Sequence, residues 1–164
     1  MTWYLIHSKP RQEFRALENL QAQGFHCYLP QLRVERLRRK RLQWFDEPLF
    51  PRYLFIRLGG DDTPQDWSPI RSTLGVSRLV RFGDEPARVD DALIAFLQQR
   101  EAKQNAPEPL FKAGERVQLT SGPFAGFEGV FQMSSGEQRA LVLIEFLNKP
   151  VKVSMAPAEL RKIS

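Results

Sequence analysis

The chain has 164 residues and 19.0 kDa, and its 42% hydrophobic content suits one medium or two small packed domains rather than wholesale disorder. No apolar run reaches the roughly 18 residues of a membrane helix, and the lone Cys27 cannot form an internal disulfide, so a cytoplasmic protein without membrane contact is expected. The net charge of +5 suggests an anionic partner, and residues 1–100 hold most of the excess, 16 Lys/Arg against 12 Asp/Glu.

The opening MTWYLIHSKPR starts with an apolar run and no basic region before it, which suits a first strand, Trp3–His7, better than an export signal. Gln12–Gln23 reads as a helix, with Phe14, Leu17 and Leu20 on one face and Gly24 as its stop. Phe25–Leu29 is extended until Pro30, with Cys27 as a buried small hydrophobe. Arg33–Phe45 reads as a charged hairpin, and Tyr53–Leu58 and Val76–Phe82 as further strands. Asp90 suits the N-cap of a second helix with the stripe Val89, Leu93, Phe96 and Leu97, where Val89 can staple against Ile94. This order predicts an α+β domain over residues 1–100, a sheet with helices on one face in the ferredoxin-like manner.

Residues 101–110, EAKQNAPEPL, combine polar residues with two prolines and read as a linker. Residues 111–164 then alternate in short segments: Val117–Thr120, Glu128–Met133, Ala140–Phe146, Val151–Met155 and Leu160–Ile163. Five short strands suit a small SH3-like barrel. Gln138–Asn148 resists that assignment. Its Ala, Leu, Glu and Gln favour helix, its Val142, Ile144 and Phe146 favour strand, and periodicity alone does not decide.

Catalytic chemistry is not indicated. Two histidines and one cysteine offer no metal set, no phosphate-binding loop or nucleophile elbow occurs, and Asp61/Asp62 sit in a Gly-rich turn. A non-enzyme without cofactor is expected. Arg33–Arg41 contains six basic residues and one acid, Glu35. It either tracks nucleic-acid phosphate without sequence preference, or meets the surface of a partner protein, or is a solvated hairpin tip.

Val117–Val130, VQLTSGPFAGFEGV, carries an ungapped G-P-F-A-G-x-x-G that resembles the KOW motif of transcription factors and some ribosomal proteins. Trp3, Tyr4, Leu5 and Lys9 match a W-Y-L-x-x-x-K opening, and Phe50-Pro51-Arg52-Tyr53-Leu54-Phe55 an F-P-x-Y-[LV]-[FV] strand. Together they resemble the NusG family of transcription elongation factors. DEPLFPRYLF and STLGVSRLVRFG look closer to its specialised RfaH branch than to its housekeeping members. The resemblance implies a monomeric antitermination factor whose N-terminal domain grips the β′ clamp helices of RNA polymerase through His7, Phe50, Tyr53, Phe55, Phe82, Ile94 and Leu97. A contact to the β gate loop falls on Asp66-Trp67-Ser68. It further implies binding of exposed non-template single-stranded DNA through Lys9, Arg15, Asn19, Gln23 and Thr73, with Leu74 where the branch has an arginine. The KOW domain of that branch is either a β-barrel or an α-helical hairpin covering the polymerase pocket. Phe131, Leu143, Phe146 and Leu147 match the covering face, and Glu47 and Arg139 an interdomain pair. In the barrel state Phe124, Ile144 and Phe146 resemble the surface offered to ribosomal protein S10. The alternatives are a housekeeping factor with a permanent barrel and a contact to termination factor Rho, or a ribosomal or RNA-binding KOW protein.

Overall fold

The structure, a computed structural model, describes residues 2–59, 68–104 and 124–148. Its centre is β1 (Thr2–Ser8), which pairs antiparallel with β5 (Tyr53–Leu58) on one side and with β6 (Val76–Leu79) on the other. β2 (His26–Tyr28) extends the sheet beyond β5, giving the order β2-β5-β1-β6, and the short β9 (Arg88–Val89) also pairs with β1. Two ribbons stand apart from this sheet. One joins β3 (Gln31–Arg38) to β4 (Arg41–Pro48), the other β7 (Arg81–Phe82) to β8 (Glu85–Pro86). The helices are α1 (Glu13–Ala22), the single turn α2 (Ser68–Arg71) and α3 (Asp91–Gln104). Ala125–Gln132 follows as a 3-10 segment and Gly136–Leu147 as α4.

The central strand has no wet side. Its residues 3–6 are all buried, and the two-residue period sends Trp3 and Leu5 one way and Tyr4 and Ile6 the other. Tyr4 and Ile6 meet Ala16 and Leu20 of α1, together with Leu54, Ile56 and Leu79. Trp3 and Leu5 meet Leu93, Ile94 and Leu97 of α3, together with Phe50 and Phe55. Helices therefore lie on both faces, not on one as the element order suggests. The apolar TWYLI run is the physical reason, since a strand buried on both faces needs a cover on each.

Within α1 the buried positions are Glu13, Ala16 and Leu20, so Phe14, expected inside, is 45% exposed. Burying Glu13 is made tolerable by the Arg52 backbone N–H, which donates to its carboxylate at 2.9 Å. Gly75, at φ +94°, lets the turn before β6 touch α1, where a Cβ would come within 2.7 Å of the Ala16 backbone nitrogen. The expected strand Val76–Phe82 is divided at Val80 into β6 and β7, although the Val80 N–H still donates to the Leu5 carbonyl of β1. Asp90 caps α3 as expected, its carboxylate accepting from the Ala92 N–H at 2.9 Å.

The strand expectations for Glu128–Met133 and Ala140–Phe146 are corrected, because both stretches are helical here. The reason is tertiary. A helix brings Ala140 and Leu143 onto one side, against the α3-facing core, and leaves Leu141 outside. Its start is also locally encoded: Ser135 accepts from the Gln138 N–H at 3.3 Å, and Glu137 lies in the first turn. The expected strands Val117–Thr120, Val151–Met155 and Leu160–Ile163 lie outside the described residues, as do Asp61/Asp62.

Candidate functional site

Three groups of side chains carry the chemistry. The first is the α3-facing side of the sheet. Phe50, Phe55, Ile94 and Leu97 are buried there, with Tyr53 and Phe82 half-buried at the margin. Phe50 meets Phe55 edge-on at 6.5 Å between centroids and Phe127 of the 3-10 segment edge-on at 6.4 Å. Phe127, Val130, Ala140 and Leu143 are all buried in this same cluster, with Phe131, Ile144, Phe146 and Leu147 packed at its edge. Phe124 sits between Phe96 of α3 and Phe146 of α4, at 5.5 and 6.0 Å. Residues 124–147 thus cover the apolar face around Phe50 and Phe55. The residues proposed for two different partners, Phe124, Ile144 and Phe146 among them, are spent on each other here.

His7 lies beside this face, its ring 5.1 Å from that of Tyr53. Burial, then the charges of Arg52 and Arg78, lower its pKa from the ordinary histidine value. Among the described residues its Nδ1, which is buried, has no hydrogen-bond partner.

A polar latch edges the cover. The Arg139 guanidinium is buried and donates through Nε to the Leu49 carbonyl and through Nη1 to the Met133 carbonyl, both at 2.7 Å. The expected Glu47–Arg139 ion pair is replaced. Glu47 instead holds Arg36 of β3, its two oxygens accepting from Nε at 2.5 Å and Nη2 at 2.9 Å. That bidentate geometry is the stronger one for a carboxylate, and it leaves Arg139 to bond backbone oxygens. Arg36 holds the Glu47 carboxyl below the usual range, with Arg139 adding a smaller pull. Burial lowers the pKa of Arg139.

The second group lies on α1, where Arg15, Asn19 and Gln23 follow one another at four-residue spacing. Gln23 Nε2 donates to the Thr73 hydroxyl at 2.7 Å and to the Asn19 carbonyl at 3.3 Å, and Asn19 Nδ2 donates to the Leu74 carbonyl at 3.3 Å. Thr73 itself is buried, and its hydroxyl donates to the Pro69 carbonyl at 2.6 Å. Lys9 is exposed, and its backbone N–H donates to the Gly75 carbonyl. Lys9, Asn19, Gln23 and Thr73 therefore gather around the turn before β6, with Arg15 exposed one helical turn ahead of Asn19. Asp66 and Trp67 lie outside the described residues.

The third group is the basic β3–β4 ribbon. Its turn residues Arg39 and Lys40 have φ of 53° and 64°.

Sequence reasoning missed four partners. Arg36 is the ion-pair partner of Glu47, and the cross-strand register Leu32↔Glu47 that places it appears only on folding. Arg100 is buried with its guanidinium 4.6 Å from the Phe131 ring centroid. Gly136 lies so close to Pro51 that a Cβ would approach its ring to 2.5 Å, so a side chain there would lift α4. Ser135 was the legible one, since Ser-x-x-Gln at 135–138 is a helix-start pattern. Cys27 is half-buried and burial pushes its thiol pKa up to about 12, which suits packing rather than reactivity. Among the described residues no group of His, Cys, Asp and Glu could hold a metal, and no helix is long and apolar enough to cross a membrane.

Residues 1–98 match the family model described as "Transcription termination factor nusG". The "Transcription termination/antitermination protein NusG" of Thermus thermophilus is 28% identical, the alignment covering 94% of this chain and 95% of that one. Its namesake in Deinococcus radiodurans is 23% identical, covering 98% of each. Among solved structures, one described as "Domain interaction in Thermotoga maritima NusG" is similar with a TM-score of 0.41 and 21% identity, over 69% of this chain and 68% of that one.

Proposed function

The chain belongs to the NusG family of transcription termination/antitermination factors, and we propose that within it this protein is an RfaH-type elongation factor held in a closed state. The family is one of transcription factors, not enzymes. In this reading residues 1–100 form the polymerase- and DNA-binding domain, 101–110 the linker and 111–164 a KOW domain. The β′ clamp helices of RNA polymerase dock on Phe50, Tyr53, Phe55, Phe82, Ile94 and Leu97, beside His7. Large aromatics in a desolvated patch are suited to anchor such an interface. A β gate-loop contact through Asp66-Trp67-Ser68 completes the polymerase site. Exposed non-template single-stranded DNA recruits the factor through Lys9, Arg15, Asn19, Gln23 and Thr73.

The observation that carries the reading is the seating of Phe127, Val130, Ala140 and Leu143 on Phe50 and Phe55, latched by Arg139 on the Leu49 carbonyl. While that cover is in place Phe50, Phe55, Ile94 and Leu97 are buried, and only Tyr53, Phe82 and His7 keep part of their surface. Release of the cover would free Phe124, Ile144 and Phe146 for a KOW barrel able to meet ribosomal protein S10. Two packings of one segment, close in free energy, make such a switch possible.

Titration of core RNA polymerase with the full-length chain and with its Leu143→Asp variant tests the reading. A buried aspartate expels α4, so the variant is expected to bind at least tenfold tighter than the parent. Equal affinities would sink the closed state and favour a housekeeping factor. Absence of polymerase binding in both would sink the polymerase site itself and leave the ribosomal alternative.

A further inference from the structure

One rim of the Phe50–Phe55 face carries charge that its apolar residues do not explain. His7 lies two residues beyond Leu5 on β1, so it takes the same side of the sheet. Directly opposite it stand Tyr53 of β5 and Arg78 of β6, and residues in register across strands share a face. The row Tyr53–His7–Arg78 therefore crosses the sheet at the margin of the apolar cluster. A second cation comes from the turn before β5. Arg52 Nε donates to the Ser8 carbonyl at 3.2 Å, which ties its side chain to the end of β1 next to His7.

Arg52 is an unfavoured residue for its place in the chain. The Tyr53 N–H donates to the Phe50 carbonyl at 3.0 Å, closing a tight turn whose third residue, Arg52, has φ 74°. Gly or Asn is the unstrained choice there. The turn is held from both sides: the Arg52 N–H donates to the Glu13 carboxylate at 2.9 Å, and Pro51 lies against Gly136 of α4. A long cationic side chain kept at such a position indicates that the side chain itself is used. Neither guanidinium is neutralised. Among the described residues no carboxylate pairs with Arg52 or Arg78, and Glu13 meets Arg52 only at its backbone N–H. Burial and the two cations keep the His7 imidazole neutral, so it offsets none of their charge. Arg78 is exposed with α4 seated, so the rim is reachable while Phe50 and Phe55 are covered.

We propose that Arg52 and Arg78, beside His7, form an anion notch that takes a carboxylate side chain of the docking clamp helix and is reachable before the cover leaves. This notch presupposes the clamp docking described above and adds to it the requirement for an acid on the partner helix. A carboxylate facing two guanidinium groups gains charge-assisted hydrogen bonds that a neutral side chain does not. The division of labour follows from position. Desolvated aromatics hold the partner once it is seated, whereas a charge at the rim acts on the association rate and its salt dependence.

Stopped-flow association with core RNA polymerase, free of nucleic acid, tests the notch in the full-length chain and in its Leu143→Asp variant. Arg78→Glu slows association about tenfold at low salt in both, leaves dissociation within about twofold, and loses its effect at high salt. Arg78→Lys keeps the charge and the parent's rate. Arg78 is exposed, so neither substitution shifts the melting temperature. Arg52→Asn suits the turn and does not lower the melting temperature, yet slows association about threefold. Equal rates for the parent, Arg78→Glu and Arg52→Asn would overturn the notch and leave the apolar docking face standing. Association absent from the parent, or slowed by Arg78→Glu only in the Leu143→Asp chain, would overturn its reach in the closed state. Weaker binding of single-stranded DNA by Arg78→Glu, with polymerase association unchanged, would give the cations to phosphate and overturn the carboxylate. No association in either chain would sink the docking face itself and the notch with it.

Discussion

The two faces of the central sheet are closed in different ways. The face beneath α1 is sealed by residues 4–79, with Tyr4, Ile6, Ala16, Leu20 and Ile70 supplying its middle. The opposite face takes Phe127, Val130, Ala140 and Leu143 from a segment far along the chain. One core is closed by residues 4–79, while the other is completed by a segment far along the chain. A face built from local neighbours closes as that part of the chain folds, whereas a face closed by a distant segment depends on that segment staying in place.

Paired truncations break the comparison most strongly. Leu20→Ala removes a fully buried side chain and should cost ~2–5 kcal/mol, with native-state hydrogen exchange accelerating on both faces. Leu143→Ala removes an equally buried leucine, yet exchange should accelerate only across 136–147 and around Phe50, while α1 and β2 keep their protection. Identical exchange patterns in the two variants would mean that the cover and the sheet unfold as one unit.

A smaller effect sharpens the latch. Arg139→Met keeps the buried stem but leaves the Leu49 and Met133 carbonyls without their donor. Loss of those partners should cost ~1–3 kcal/mol in denaturant unfolding monitored at α4. An unchanged midpoint would show that apolar contacts alone hold the cover.

The smallest effect is electrostatic. The folded chain holds the Glu47 carboxyl below its ordinary value, so the stabilisation is present above that value and fades as pH falls through the folded pKa. With the Arg36 and Glu47 side chains 54% and 31% exposed, the expected size is below ~1 kcal/mol. Glu47→Gln should remove this increment of acid sensitivity below about pH 4.5 and change little at neutral pH. A pH profile identical to the parent's would mean the pair adds nothing.

Much of the N-terminal half was legible because its signals are local. Tyr53–Leu58 is a strand with the expected bounds, and the Asp90 cap lies where a short polar residue precedes an apolar stripe. The charged hairpin was visible in its composition. Elements of two to four residues, such as α2, β8 and β9, escaped because they hold less than one period of any pattern. Phe14 misled because helical spacing names a face without saying which side the sheet occupies. Of the candidate sites, the apolar set around Phe50 was legible as a group of aromatics. Its cover was marked only through the resemblance, on Phe131, Leu143, Phe146 and Leu147, while the preference of Glu47 for Arg36 was not legible, since it depends on a cross-strand register set on folding.

The sequence by itself determined the longer elements of residues 2–59 and 68–104, the excess of basic charge, and membership of the family through motifs that are contiguous in the chain. Only the tertiary structure decided that the sheet is covered on both faces and that Ala140–Phe146 is helical. Val142, Ile144 and Phe146 favour a strand by intrinsic preference, but that preference amounts to a fraction of a kcal/mol per residue. Burying Leu143, Ala140 and Phe127 against Phe50 and Phe55 stabilises several times more, and that burial happens only once the two parts of the chain have met.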